Sequence, residues 1–360
     1  MSELTSSVAA SPAEVALPFA AVPPLSPQAQ IIQMVGGHIV TRAMYVFAEL
    51  GIADLLKDGP QSAEAIATSA GAHAPTLYRL LRTMAGLGFV TEAEGRRFAL
   101  TPLGEAMQSD APGLARSMVR LIAGPFGWRV LGEFPHSVKT GEAGSEKALG
   151  QSIFEYMTTA PQEATWFNEM MIAFHGAEPA AVAAALDFSG IQTIVDVGGG
   201  TGNLLTTILL ANPGVRGVIR DLPHVAPQAR ALIASRGLSD RCTVSEGSFF
   251  DDVPDGADAY VLSHILHDWD EASCLKILGA CRRAMMPGSR LLVVEMVIPR
   301  GNDFHPSKLS DMIMLAFTPG GCERTAEEYA ALFAKAGLKL TRVVPTASAV
   351  SVVEAVAVES

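Results

Sequence analysis

The chain has 360 residues, 49% hydrophobic and 18% charged, with a formal net charge of −11. That length and composition allow about two domains with sizeable cores, and the acidic balance argues against nucleic acid, whose phosphates need a basic footprint. The four cysteines (Cys242, Cys274, Cys281, Cys322) form no C-x-x-C pair and read as reduced thiols of a cytoplasmic protein. No apolar run reaches about 18 residues without a charge or a breaker, which argues against a membrane span.

Residues 1–27 are rich in Ala, Ser and Pro and lack a basic n-region, so they read as a disordered or loosely docked arm rather than a signal peptide. Residues 28–50 carry a helical apolar pattern that includes Ile31, Ile32, Val35, Ile39, Val46 and Phe47. The stripe is wider than a surface helix needs, and burial against a second subunit would explain it. Helices over 62–70 and 75–87 and a hairpin over 88–100 follow, the pattern of a winged helix-turn-helix. Residues 28–110 hold six Lys/Arg against eight Asp/Glu, so a dimerisation module fits better than a DNA reader. Residues 111–185 read as a helical linker rich in Met and aromatics, mostly core, with some side chains lining an apolar acceptor pocket.

In a last domain over 186–360, strands and helices alternate from Gln192 on, with strands over 193–197, 215–220, 242–246, 259–264, 290–297, 340–345 and 351–358. This predicts a doubly wound α/β sheet. The last two strands are too close for a crossover helix and must form an antiparallel hairpin. The run Val195-Asp196-Val197-Gly198-Gly199-Gly200-Thr201-Gly202 reads as strand, glycine turn and helix start. Asn203 stands where a dinucleotide fingerprint needs its third glycine, so the loop suits a single nucleoside. Asp221, 23 residues after Gly198, is placed to accept from ribose hydroxyls, or is a turn residue before Leu222-Pro223. Ser248 and Phe249 stand where a loop would cover adenine.

Ser263-His264-Ile265-Leu266-His267-Asp268-Trp269 leaves the fourth strand. Its H-x-x-H spacing admits a metal, but no further ligand cluster stands near it in sequence. The alternative is His267 as a general base, with Glu295 or Glu323 orienting it. Glu295 lies in an apolar strand and demands a partner or a function. Glu323 reads equally as an ion-pair partner of Arg324 or a helix-start acid.

The ordered set V-D-V-G-G-G-T-G, R-D-L-P, L-H-D-W, V-V-E and P-G-G-C-E-R-T resembles the plant-type S-adenosylmethionine (SAM)-dependent O-methyltransferases, a family with caffeic acid, hydroxyindole and bacterial natural-product members. The resemblance covers nearly everything after residue 28. It implies a winged-helix homodimerisation domain, SAM as cofactor and no metal. It implies methyl transfer to a hydroxyl of a small aromatic or polyketide-like acceptor. Asp196, Gly198, Gly200, Asp221, Leu222, Ser248, Phe249 and Ser263 would serve the cofactor. Met157, Phe167, Met171, Asp268, Ile313, Met314 and Thr318 would line the acceptor pocket, and His267, Glu295 and Glu323 would be catalytic. Ser248 replaces the family's usual Asp, Ser263 a frequent Lys of plant members, and Thr318 the Asn before Pro-Gly-Gly. Two alternatives remain: a family member that binds SAM for another reaction, such as hydroxylation or decarboxylation, and a winged-helix regulator.

Overall fold

The structure, a computed structural model, describes residues 26–358, less the side chains of Phe154 and of residues 172–174. Apart from Ser26 and Pro27, the expected N-terminal arm lies outside the described residues. Two compact units divide after Ala123.

The first unit opens with the helix Pro27–Glu49, whose start is capped by Ser26 Oγ accepting from Ala29 N at 3.2 Å. Its C-terminal end enters the core through Phe47 and Ala48, while Ile31, Ile32, Met34, Val35 and Ile39 stay exposed. This helix is also long and apolar enough to cross a membrane, despite Arg42 and Glu49 within it. Ser62 caps the helix Ala63–Ser69, and Leu77, Leu81 and Met84 form the buried face of Ala74–Gly86. Strands β1 (Gln61–Ser62), β2 (Val90–Ala93) and β3 (Arg97–Leu100) make an antiparallel sheet in the order β1-β3-β2. Phe98 from β3 closes the core against Ile52, Ile66 and Leu81.

The second unit begins with short helices up to Ala185 and continues into the main sheet. Its strands are β4 (Thr193–Val197), β5 (Arg216–Asp221), β6 (Cys242–Glu246), β7 (Ala259–Ser263), β8 (Arg290–Glu295), β9 (Val297–Ile298), β10 (Arg324–Thr325), β11 (Leu338–Pro345) and β12 (Ser351–Ala357). Seven of them pair in the order β11-β12-β8-β7-β4-β5-β6. The pairings from β6 through β8 are parallel, and β12 runs antiparallel to both β11 and β8. The final hairpin therefore inserts its second strand next to β8. Apolar clusters pack on the sheet, one around Tyr260, Ile277 and Phe333, the other around Ile194, Leu205 and Ile219.

Two expected strands are shorter than their apolar runs. Residues 259–264 stop being extended at Ser263, because His264 takes φ +54°, a left-handed conformation that non-glycine residues rarely hold. The run 290–297 is two strands. β8 ends at Glu295, and β9 leaves the main sheet to pair in parallel with β10. That second pairing carries Glu323, the residue before β10, towards the end of β8.

Candidate active site

The resemblance carried by the sequence motifs implies a cofactor cradle, a proton acceptor and a shielded space for the acceptor. The cradle starts where β4 ends. Gly198 takes φ +73°, and a Cβ there would stand 2.6 Å from Ile265 and 3.2 Å from Phe249. The loop thus runs where only glycine fits, with Phe249 packed against it. Asp221, at the end of β5, accepts from Gly200 N and from Leu222 N, both at 2.7 Å. Each oxygen keeps a lone pair for a further donor. Ser248 Oγ is turned back on its own loop, accepting from Phe250 N at 3.2 Å. Leu222 is exposed and Ser263 half-buried.

Asp196 is the anomaly of the cradle. It is 1% exposed, and neither carboxylate oxygen has a hydrogen-bond partner. Burial, with the nearby charge of Asp221, outweighs a weak approach of the Leu205 backbone N–H and raises its pKa to about 7. A buried carboxylate without partners is costly and calls for a cationic or donor ligand.

The expected proton acceptor, His267, sits one strand over, after β7. His267 Nδ1 lies 3.2 Å from Glu323 Oε1, which also accepts from Ser310 Oγ at 2.7 Å. Asp311 in turn accepts from Glu323 N at 2.9 Å. Asp268 Oδ1 stands 3.7 Å from His267 Nε2. Burial alone would lower the pKa of His267. The hydrogen bond to Glu323 and the charges of Asp268, Glu295 and Glu323 outweigh it and raise the pKa to about 9. Burial, partly offset by His267, pushes Asp268 up to about 6. Gly321 explains the paired glycines of P-G-G-C-E-R-T: a Cβ there would stand 2.3 Å from the carbonyl oxygen of His267.

Glu295 does not hold the imidazole, as the sequence suggested. Its Oε1 accepts from the backbone N–H of Leu266 (2.7 Å) and of His267 (3.1 Å), and Oε2 accepts from the Tyr329 hydroxyl. It is wholly buried and every oxygen is used, so it braces the peptide that carries His267. Glu323 likewise forms no ion pair with Arg324. That guanidinium donates to the carbonyls of Leu266 (3.0 Å) and Trp269 (3.3 Å), bracing the same turn from the other side. Tyr329 carries no signal in the sequence, and Arg324 stood out there only as a possible ion-pair partner of Glu323. The arginine of C-E-R-T was the one available signal, and Tyr329 reads only as a core aromatic.

Of the expected acceptor-lining residues, Met157, Phe167 and Met171 are half-buried on the helices Ile153–Thr159 and Pro161–His175. Ile313 and Met314 are half-buried on Pro306–Phe317. Thr318 is buried and spends its hydroxyl on Met314 O at 2.8 Å, so it does not replace an asparagine's reach. The helix Pro161–His175 ends beside the turn that follows β7, where the rings of His175 and His264 lie 3.9 Å apart. Glu178 Oε2 bridges them at 2.8 Å to His175 Nδ1 and 2.8 Å to His264 Nε2. The sequence showed no ligand cluster near the H-x-x-H pair. Folding supplies two such groups, and they face His264 rather than His267.

A glycine loop sized for a nucleoside, an unpartnered buried acid beside it and a carboxylate-backed histidine one strand away define the class, a nucleoside-cofactor group-transfer enzyme. The O-methyltransferase domain family matches residues 128–339, and the O-methyltransferase dimerisation domain matches residues 32–110. The chain is 42% identical over 325 residues to a phenazine O-methyltransferase of Lysobacter antibioticus, covering 90% of this chain and 95% of the relative. It is 41% identical over 308 residues to a mitomycin biosynthesis 6-O-methyltransferase of Streptomyces lavendulae, covering 84% and 87%. Among solved structures it is similar to an O-methyltransferase of neocarzinostatin biosynthesis in complex with S-adenosylmethionine and 2-hydroxy-5-methyl naphthoic acid, with TM-score 0.77, 35% identity and 89% and 96% coverage. The chain belongs to the O-methyltransferase family.

Proposed function

We propose that the protein transfers the methyl group of SAM to a hydroxyl of a small aromatic or polyketide-like natural product, with His267 as general base. The observation that carries this reading is the buried His267–Glu323 pair on a turn fixed by Glu295. The cradle fits SAM on its own chemistry. Asp196 offers a buried, unpartnered carboxylate to a cationic group, and Asp221 offers free lone pairs to ribose hydroxyls. The glycine loop leaves no room for a side chain between Ile265 and Phe249. Asp196, Gly198, Asp221 and Phe249 would hold the cofactor, with Gly200, Leu222, Ser248 and Ser263 at its edge. When bound, the sulfonium supplies a methyl group already activated for transfer.

The chain's own work is alignment and proton removal. Glu323 accepts from Nδ1–H and so selects the tautomer whose Nε2 is free to take the acceptor's hydroxyl proton. The imidazolium that forms faces Asp268 and Glu323 and is stabilised by both. Glu295, Tyr329 and Arg324 hold the turn so that Nε2 does not wander. Met157, Phe167, Met171, Ile313 and Met314 offer apolar surface to a planar acceptor. This chemistry draws on no metal.

We read the exposed face of Pro27–Glu49 as a homodimer surface rather than a membrane span, and the enzyme as soluble. The dimerisation domain covers this helix from residue 32, and its two charges are tied inward, Arg42 to Ala123 O and Glu49 to Arg120 Nε at 2.9 Å. The test is incubation with methyl-labelled SAM and a panel of phenols, phenazines and hydroxynaphthoates, followed by mass analysis. Label in a methyl ether of an acceptor supports the reading. Label confined to carboxyl or amine products, or recovered in none, overturns it.

A further inference from the structure

The geometry points to a divalent-cation site, for Zn²⁺ or a similar imidazole-seeking d-block ion, formed by His175, Glu178 and His264. The three residues come from three elements. His175 ends the helix Pro161–His175, Glu178 begins the helix Glu178–Ala185, and His264 follows β7. One carboxylate oxygen, Glu178 Oε2, stands 2.8 Å from His175 Nδ1 and 2.8 Å from His264 Nε2. One ligand atom from each residue lies within 4.8 Å of the others.

Two imidazoles and a carboxylate are a ligand set that first-row ions accept, with further positions left for water. At metal–ligand bonds of about 2.0–2.1 Å, tetrahedral ligands stand about 3.3 Å apart. Each N···O pair therefore needs to widen by about half an ångström, and the two imidazole nitrogens, within 4.8 Å of each other, to close by up to about 1.5 Å, changes that side-chain torsions can supply. The groups are shielded without being sealed: side-chain exposures are 28% for His175, 9% for Glu178 and 15% for His264. Backbone geometry adds an independent observation. His264 holds φ +54°, and this strained conformation is where its ring meets Glu178. Such outliers persist where the surroundings over-determine them, and a shared ion would do so.

The ion takes no part in methyl transfer. It would clip two helix ends to the turn that carries His267, whose ring lies 5.2 Å from that of His264. His267 is not a ligand, so cation binding and base catalysis are separable by substitution. Binding would displace the protons shared with Glu178 and raise thermal stability by mass action.

The test uses tag-free, full-length protein stripped with EDTA, then exposed to Zn²⁺ at micromolar concentration, gel-filtered and analysed for bound metal. Co²⁺ spectra report the coordination. About one equivalent per chain is expected, with a rise in Tm and the intense visible bands of low-coordinate Co²⁺. His175→Gln, Glu178→Gln and His264→Asn should each abolish retention and the Tm rise, whereas His267→Gln should keep both. His175→Gln, the change at the most exposed of the three, keeps the test valid if the buried variants fail to fold. No retained metal in the parent protein overturns the site. Retention unchanged in folded His175→Gln overturns it equally, since the metal would then lie elsewhere.

Discussion

Two buried carboxylates on the same sheet make an instructive pair. Asp196 on β4 and Glu295 on β8 are equally inaccessible, at 1% and 0% exposure. Asp196 has no hydrogen-bond partner for either oxygen, whereas Glu295 accepts from two backbone N–H groups and a tyrosine hydroxyl. Burial raises the pKa of both. On the proposed reading, the difference separates a socket from a brace. An acid left without partners stores unfavourable solvation that a ligand can relieve, and a fully partnered one stabilises the fold and admits nothing.

The sharpest way to break this comparison is at the residue the brace serves. His267→Gln is expected to lower kcat by about 10²–10⁴-fold while leaving SAM affinity nearly intact. Full activity on a phenol of ordinary acidity would remove the base from the mechanism. Glu295→Gln and Glu323→Gln should each cost less.

At the socket, Asp221→Ala and Asp196→Asn are each expected to weaken SAM by roughly 10–100-fold, on the order of 1–3 kcal/mol, as read by calorimetry. The two differ in the free protein. The pKa of Asp196 is raised on folding, so its contribution to stability is full below the unfolded value of 3.8 and is lost as pH rises through about 7. Asp196→Asn should therefore raise Tm at pH 8 and change it little at pH 4. A fall in Tm at pH 8 would show that the carboxylate has a partner in solution.

At the brace the amide substitution should behave differently. Glu295→Gln keeps an acceptor for both N–H groups and should leave stability nearly unchanged. Glu295→Ala orphans two buried donors and the Tyr329 hydroxyl and should cost about 2–4 kcal/mol in denaturant unfolding. Equal losses in the two variants would mean that charge, not hydrogen bonding, is what Glu295 supplies.

The smallest expected effect is a shift in a pH profile. His267, raised to about 9, becomes neutral only as pH climbs through that value, so kcat/KM should rise on a limb well above the ordinary histidine value of 6.5. Its stabilising contribution runs the other way: complete below about 6.5 and lost as pH rises to 9. Glu323→Gln removes the main raising partner and should move the kinetic limb to lower pH. An unmoved limb would assign it to another group.

Local signals made the α/β alternation, the glycine loop and the closing hairpin legible. Each depends on a period or a steric requirement within about ten residues. His267 was legible as a candidate because it follows a strand at the edge where ligands bind in open α/β folds. The split of 290–297 into β8 and β9 was not legible, since both halves are apolar and only pairing with β10 separates them. Insertion of β12 beside β8 was equally hidden, because a hairpin does not state which of its strands faces the sheet.

The sequence by itself determined which polar groups follow the strands of the sheet, and roughly which sheet edge they occupy. Only the tertiary structure decided who partners whom. Glu295 braces a backbone 28 residues away, Glu323 reaches His267 across 56 residues, and Glu178 reaches His264 across 86. A side chain's type and its element follow from neighbours along the chain, whereas the satisfaction of a buried polar atom depends on the order in which strands pair.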